Sequence, residues 1–129
     1  MSIHSRNKGA AGERELAEKF EHMGYTARRS QQYCGANSDS DITVEELPSL
    51  LIESKRVERL NLHEAMVKAA SDAAPHLKTP VVCHRRNGAE WLLTIRLKDL
   101  HVFVERVTRG MARRAHGRAD ATGPADAQG

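Results

Sequence analysis

The spacing of apolar side chains predicts an amphipathic helix near the start of the chain. Residues 8–23, KGAAGERELAEKFEHM, repeat apolar positions at intervals of three and four, which places them on one helical face. These side chains are Leu16, Ala17, Phe20 and Met23. Gly24 provides the left-handed residue that often ends a helix, and Tyr25 can fold back onto it. A short strand over residues 25–30 should follow.

Alternating apolar and polar positions then predict a β-hairpin. Residues 31–40, QQYCGANSDS, are rich in turn formers and have almost nothing to bury, so we expect an exposed, mobile loop. Residues 41–45 alternate between apolar and polar side chains, and a turn follows around Pro48. Residues 50–55 form the second strand, which begins apolar and ends charged.

A helix, a second hairpin and a final helix complete the predicted order. Asn61 and Glu64 have the spacing of a capping box, and the helix after them stops before Pro75. Its apolar face consists of Leu62, Met66, Ala69, Ala70 and Ala73. Strands over residues 80–84 and 90–95 enclose an Asn-Gly turn signal. The apolar positions of the last helix are Leu97, Leu100, Val104 and Val107.

The length and composition indicate one domain. A chain of 129 residues has room for one modest core, which we assign to residues 1–108. Residues 109–129 contain almost no large apolar side chains, so we expect a disordered tail. The formal charge of +3 permits a polyanionic partner without requiring one. Cys34 and Cys83 show neither zinc spacing nor a disulfide framework.

No apolar run is long enough for a membrane span, and no secretory leader is evident. We therefore interpret the protein as cytoplasmic, or as acting in the host cytoplasm if a phage encodes it, with no membrane partner.

Three charged residues of the first hairpin suggest hydrolytic chemistry. Glu53 and Lys55 are two positions apart on a strand, so their side chains share a face about 6.6 Å apart. Asp41 opens the neighbouring strand, where the hairpin can bring it beside Glu53. Two such carboxylates repel unless a cation lies between them, and Mg²⁺ combines one or two carboxylates with waters and phosphate oxygens. The metal ion would activate water while the Lys55 ammonium orients the nucleophile and stabilises the transition state.

Glu13 is the carboxylate on the core-facing stripe of the first helix, since it precedes Leu16 by three residues and Ala17 by four. Small residues around it would let this turn pack closely against a sheet or a nucleic-acid backbone, which places Glu13 next to the metal ion. The alternative is a slightly rotated stripe, because the helix also carries Glu15, Glu18 and Glu21.

Simpler interpretations exist for each charged residue. A Glu-x-Lys pair on a strand is often an exposed ion pair. The arginines that could follow a phosphate backbone could also be merely solvated. They are Arg28, Arg29, Arg56, Arg85 and Arg86. Trp91 is better explained as a core residue than as a base-stacking one.

At these residues the sequence resembles the archaeal Holliday-junction resolvases and their phage and bacterial relatives, a branch of the PD-(D/E)XK nuclease superfamily. The resemblance covers roughly residues 6–95 and is weaker towards its end. The matching segments are Lys8-Gly9-Ala10, Glu13-Arg14-Glu15-Leu16, Gly24-Tyr25, Arg29-Ser30, Asp41-Ile42, Ile52-Glu53-Ser54-Lys55, Thr79-Pro80-Val81-Val82 and the Trp91 strand.

The resemblance implies an α/β (α+β) fold with a restriction-endonuclease-like core, in which helices flank a central mixed five-stranded sheet. Asp41 and Glu53 would ligate Mg²⁺ or Mn²⁺, and Glu13 would complete the acidic cluster. Lys55 would be the catalytic lysine. Arg14 and Arg29 would fall on basic positions that contact DNA phosphates. The full set of residues that we expect to contact DNA is Lys8, Arg14, Arg28, Arg29, Ser30 and Arg56.

The sequence also departs from the family pattern. Ser40 stands where a proline often precedes the aspartate, and the loop before it is longer than in many relatives. The family's loop serine could match Ser30, Ser38 or Ser40, so that assignment stays open.

We therefore predict a metal-dependent, structure-selective DNA endonuclease, a Holliday-junction resolvase. The resemblance further implies a homodimer that cuts branched DNA, a four-way junction, symmetrically. Two alternatives remain open. One is a phage or prophage nuclease that processes duplex DNA or ends with the same site, and the other is a DNA-junction-binding module without turnover.

Overall fold

The structure, a computed structural model, describes the backbone of residues 3–30 and 41–122 and the side chains of residues 9–30 and 41–115. The loop predicted at residues 31–40 lies outside the described residues. The order of helices and strands is as predicted. They are α1 Ile3–His22, β1 Ala27–Arg29, β2 Ile42–Val44, β3 Leu50–Arg56, α2 Leu62–Ala73, β4 Thr79–Arg85, β5 Leu92–Thr94 and α3 Leu100–Thr122, with short 3₁₀ helices at Ala74–His76 and Leu97–Asp99.

The five strands form one mixed sheet in the order β1-β2-β3-β4-β5. β1, β2 and β3 are successive antiparallel neighbours, β3 and β4 are parallel, and β4 and β5 form an antiparallel hairpin. A parallel pair needs a crossover connection, which α2 supplies. The predicted fold class, a central mixed five-stranded sheet flanked by helices, is confirmed.

Two apolar layers separate the sheet from its helices. On one face, α1 packs its Leu16 and Phe20 against a cluster that includes Ile52. On the other face, Leu51 packs with the alanine-rich side of α2. Because side chains alternate along a strand, Glu53 projects from β3 towards the α2 face with Leu51. In the described part of the chain, no helix is both long enough and apolar enough to cross a lipid bilayer.

The helix ends follow the local signals in the sequence. Gly24 adopts a φ of 97°, and the Tyr25 N–H donates to the Phe20 carbonyl at 3.0 Å. The two rings meet edge to face with centroids 6.0 Å apart, so the predicted fold-back is confirmed. Met23, predicted to face the core, is 57% exposed because α1 ends before its side chain reaches the sheet. Asn61 caps α2 by accepting the Glu64 N–H at 3.1 Å.

The last helix turns to the protein a face that shares only Val107 with the predicted one. Leu97, Leu100 and Val104 are exposed, while Phe103 and Val107 pack against the α1-side core. Polar contacts determine this orientation of α3 as much as apolar packing does. Arg106, adjacent to this face, donates to the Ser49 carbonyl at 3.0 Å and to the Thr79 hydroxyl at 2.9 Å, which fixes the rotation of α3.

α3 also continues past the point at which the sequence predicts a loss of structure. Gly110 is buried, and a Cβ at this position would collide with the Glu46 carbonyl oxygen. Helix then extends to Thr122, because the alanines and arginines of this stretch are strong helix formers. The division into a domain of residues 1–108 and a tail of residues 109–129 stays a prediction.

Candidate active site

Asp41 and Glu53 lie opposite each other at the start of β2 and within β3. The register pairs Ile42 with Ile52, so the next antiparallel pair is Asp41 with Glu53. The Asp41 N–H donates to the Ile52 carbonyl at 2.9 Å, and Asp41 Oδ2 accepts the Ser54 N–H at 2.9 Å. The hairpin therefore brings the two carboxyl groups together, as the sequence predicts. We call them the acid pair.

The carboxyl group of Glu53 is buried and holds its proton more tightly than an ordinary glutamate does. Its side chain is 6% exposed, and this burial, together with contact with the Asp41 carboxyl, raises the pKa of Glu53 to about 8. Lys68 of α2 opposes the shift, since its Nζ lies 3.4 Å from Glu53 Oε1. A buried acid beside a second acid is an arrangement that a bound cation or a shared proton relieves.

Glu13 lies near the acid pair but is engaged by an arginine. Its Oε1 accepts a hydrogen bond from Arg29 Nε at 2.9 Å. Burial raises the pKa of Glu13, Arg29 opposes this, and the nearby Asp41 carboxylate adds to the rise. Among residues 9–30 and 41–115, no three Asp, Glu, His or Cys side chains converge closely enough to hold one metal ion. The structure therefore does not bring Glu13 to the acid pair as a third ligand.

Lys55 lies two residues after Glu53 on β3 and so shares its sheet face. It is half-buried, and its neighbour across the parallel pair is His84 of β4. No hydrogen bond or ion pair to another described side chain holds its ammonium. The shared face agrees with the sequence analysis, and the catalytic role of Lys55 stays a prediction.

The residues predicted to contact DNA differ in whether another side chain of the protein already binds them. Arg14 is exposed, whereas Arg28 pairs with Glu45 at 3.3 Å. Ser30 Oγ forms a hydrogen bond of 2.7 Å with Thr43 Oγ1. The side chain of Lys8 lies outside the described residues.

Arg56, also predicted to contact DNA, belongs to an ion cluster centred on Glu15 of α1. Arg56 Nε lies 3.4 Å from Glu15 Oε2, and Arg85 Nη1 lies 2.7 Å from Oε1. The Trp91 indole N–H donates to the same carboxylate at 3.0 Å. Gly12 permits this approach, because a Cβ there would lie 2.9 Å from Arg56 Cβ. The cluster braces α1 against the ends of β3 and β4, a role that sequence reasoning missed because the partners are distant in sequence.

Known structures include a protein with a similar fold. The structure is similar to that of Archaeoglobus fulgidus Hjc, a Holliday junction resolvase from an archaeal hyperthermophile. The TM-score is 0.49, with 21% sequence identity over 67% of this chain and 76% of that chain. That protein is of the family that the sequence resembles. No protein-family model and no curated protein matches the chain.

The acid pair fits a hard divalent cation. Mg²⁺ commonly takes one or two protein carboxylates and keeps several waters, so Asp41 and Glu53 are a sufficient set without Glu13. A cation between them would favour ionised Glu53 and lower its pKa. The arrangement can thus hold a divalent cation on a sheet face that also carries Lys55.

Lys68 is a further neighbour of the acid pair that the sequence analysis missed. Its local signal is the spacing of four residues to Asp72, whose Oδ2 lies 2.9 Å from Lys68 Nζ. Such pairs are common on exposed helices and indicate no function by themselves. The contact with Glu53 exists because the crossover lays α2 over β3, which the sequence does not reveal.

Proposed function

We propose that this protein is a metal-dependent, structure-selective DNA endonuclease that cuts four-way junctions. The observation that carries the proposal is the acid pair. Burying a glutamate against an aspartate is unfavourable unless a cation or a shared proton relieves the pair, because each carboxylate raises the energy of the other in ionised form. The order of Glu13, Asp41, Glu53 and Lys55 along the chain, which resembles the PD-(D/E)XK nucleases, supports the same conclusion.

In this proposal Asp41 and Glu53 hold Mg²⁺ or Mn²⁺. A metal ion held there would supply a water of lowered pKa and would neutralise charge on the phosphate. Asp41 is oriented for this role by the Ser54 N–H, which fixes one of its carboxylate oxygens. Glu53 is positioned by the sheet, which leaves its side chain little freedom.

Lys55 orients the attacking water and stabilises charge that develops on the scissile phosphate. An ammonium that no other described side chain neutralises is suited to this work, since its charge remains available to the substrate. Glu13 acts indirectly in this proposal: it fixes Arg29 by the hydrogen bond described above, and Arg29 and Arg14 contact DNA phosphates flanking the site.

A four-way junction has two symmetry-related strands to cut, so we propose that the enzyme acts as a homodimer with one centre per subunit. Sedimentation of the full chain, alone and with a junction, measures this. A protein that remains monomeric in both states would contradict the dimer but leave the chemistry of the acid pair unaffected.

Cleavage of labelled DNA tests the function. The full chain is incubated with Mg²⁺ and with either a four-way junction or a linear duplex of the same sequence. We expect cleavage of the junction in preference to the duplex, and loss of at least a hundredfold in rate for Asp41→Asn with DNA binding retained. Glu18→Gln, an exposed change on α1, is the matched control and should cleave normally.

Other outcomes separate the alternatives. Equal cleavage of junction and duplex would replace the resolvase with an end-processing or duplex nuclease. Binding of the junction without cleavage in Mg²⁺ or Mn²⁺ would overturn the enzyme and favour a binding module.

A further inference from the structure

A second lysine approaches the acid pair from a different structural element. Lys68 Nζ of α2 lies 3.4 Å from Glu53 Oε1 and 2.9 Å from Asp72 Oδ2. Its side chain is 60% exposed, whereas the Glu53 side chain is 6% exposed. The ammonium therefore lies where the buried carboxylate meets solvent, at the opening of the candidate site on the α2 face.

The Asp72 contact determines what happens to this ammonium when Glu53 acquires another partner. Asp72 is one turn along the same helix, so it holds Lys68 independently of β3. If a divalent cation takes up the charge of Glu53, Lys68 loses one of its two carboxylates and keeps the other. Its position at the opening is preserved, while part of its charge becomes available to an anion.

The charge balance favours an anionic substrate at this point. A divalent cation offsets Asp41 and Glu53 and Asp72 offsets Lys68, so the ammonium of Lys55 leaves these groups with one net positive charge before DNA arrives. Each phosphodiester brings one negative charge, and lysine binds phosphate as a mobile point charge that does not require a fixed geometry. A partly released ammonium at the opening would therefore bind the strand that enters the site.

We propose that Lys68 is a substrate-positioning residue that binds a phosphate of the DNA strand at the candidate site. This inference rests on the proposed function and extends it to a residue outside the Glu13, Asp41, Glu53 and Lys55 set. The competing explanation is a purely structural one, in which Lys68 braces α2 against β3. An ion pair whose lysine is exposed contributes little to stability, so a brace predicts a small change in unfolding and no change in the salt dependence of DNA binding.

Two substitutions separate these explanations. Lys68→Met keeps the long aliphatic stem and removes the charge, and Lys68→Arg keeps the charge. Lys98→Ala, which removes an exposed lysine from the 3₁₀ helix before α3, is the matched control. Binding to a four-way junction is measured over a range of salt concentrations with Mg²⁺ in the Lys55→Met background, which keeps both carboxylates of the acid pair and removes the proposed catalytic ammonium, so that the DNA stays intact. Cleavage is measured with Lys55 present.

We expect Lys68→Met to weaken junction binding about tenfold and to reduce the slope of log affinity against log salt by about 1, the effect of losing one phosphate contact. In cleavage, KM should rise about tenfold while kcat changes less, because the contact exists in both the ground and transition states. Lys68→Arg should restore the salt slope, and the unfolding midpoint of each variant should stay close to that of the parent.

The inference is overturned if Lys68→Met has the affinity, salt slope and KM of Lys98→Ala. It is also overturned if Lys68→Arg loses as much junction affinity as Lys68→Met. Such a result would show that the positive charge of residue 68 does not by itself support DNA binding. These results differ from a failure of the proposed function, which is an absence of cleavage by the unsubstituted protein. A parent that binds no DNA overturns both.

Discussion

Replacing Glu53 by glutamine should make the metal-free protein more stable at alkaline pH. The pKa of Glu53 is about 8 in the folded protein and 4.5 in an ordinary environment, so the folded state binds more protons between these values. Stability then falls as the pH rises through this window. At about 1.4 kcal/mol per pKa unit, the full loss is roughly 5 kcal/mol above pH 8. Glutamine has a similar shape and no titrating proton, so Glu53→Gln should lack this loss.

Urea denaturation between pH 5 and pH 9, with a chelator present, measures the effect. The difference in free energy of unfolding between Glu53→Gln and the unsubstituted protein should grow by about 4 kcal/mol across this range in favour of the variant. Glu18→Gln, on the exposed face of α1, should follow the unsubstituted protein. Parallel pH profiles for Glu53→Gln and the unsubstituted protein would refute the reasoning, because they would show that Glu53 titrates normally in the folded state.

The same experiment with Mg²⁺ tests the cation without any reference to cleavage. A ligand that binds the folded state stabilises it in proportion to the logarithm of its concentration above the dissociation constant. At pH 8, Mg²⁺ should therefore stabilise the unsubstituted protein and leave Glu53→Gln nearly unchanged. Equal stabilisation of both proteins would place the cation elsewhere.

Three further predictions concern the scaffold. Gly110→Ala should lower the unfolding temperature in calorimetry, because a Cβ would collide with backbone, while Gly9→Ala, where a Cβ meets nothing within 4 Å, should not; equal midpoints would refute the close approach. Asn61→Ala should cost about 1 kcal/mol in urea denaturation by removing the α2 cap, and Asn61→Ser should recover most of it. The Cys83 thiol, whose pKa burial raises to about 12, should resist thiol reagents in native Cys34→Ser protein and react in urea; fast native labelling would contradict its burial.

Local signals in the sequence account for most of the fold. Gly24 ends α1 by adopting a left-handed backbone conformation, and Asn61 begins α2 as its side-chain cap. The turn at Gly88, with a φ of 74°, joins β4 and β5. The rotation of α3 could not be predicted in this way. Its apolar residues are compatible with two faces, and the choice depends on Arg106, whose partners Ser49 and Thr79 are distant in the chain.

In the candidate site, too, some contacts could be predicted from local sequence and others could not. Asp41 and Glu53 could be paired from the sequence because a short hairpin connects them, and strand alternation places Lys55 beside Glu53. The engagement of Glu13 by Arg29 and the approach of Lys68 depend on helices packed across the sheet. Contacts of this kind follow from tertiary packing, which periodicity along one element does not encode.

The parallel pairing of β3 with β4 has a consequence for how the protein matures. The hairpin that joins β2 to β3 is local and can form early, whereas the parallel pair must wait for the whole crossover to close. A chain in which α2 has not docked would leave the Glu53 carboxyl group in water. Docking of α2 would then bury it together with the apolar core, whose burial offsets the cost. The cost of burying Glu53 beside Asp41 would therefore be incurred only when the rest of the sheet and its helices are in place.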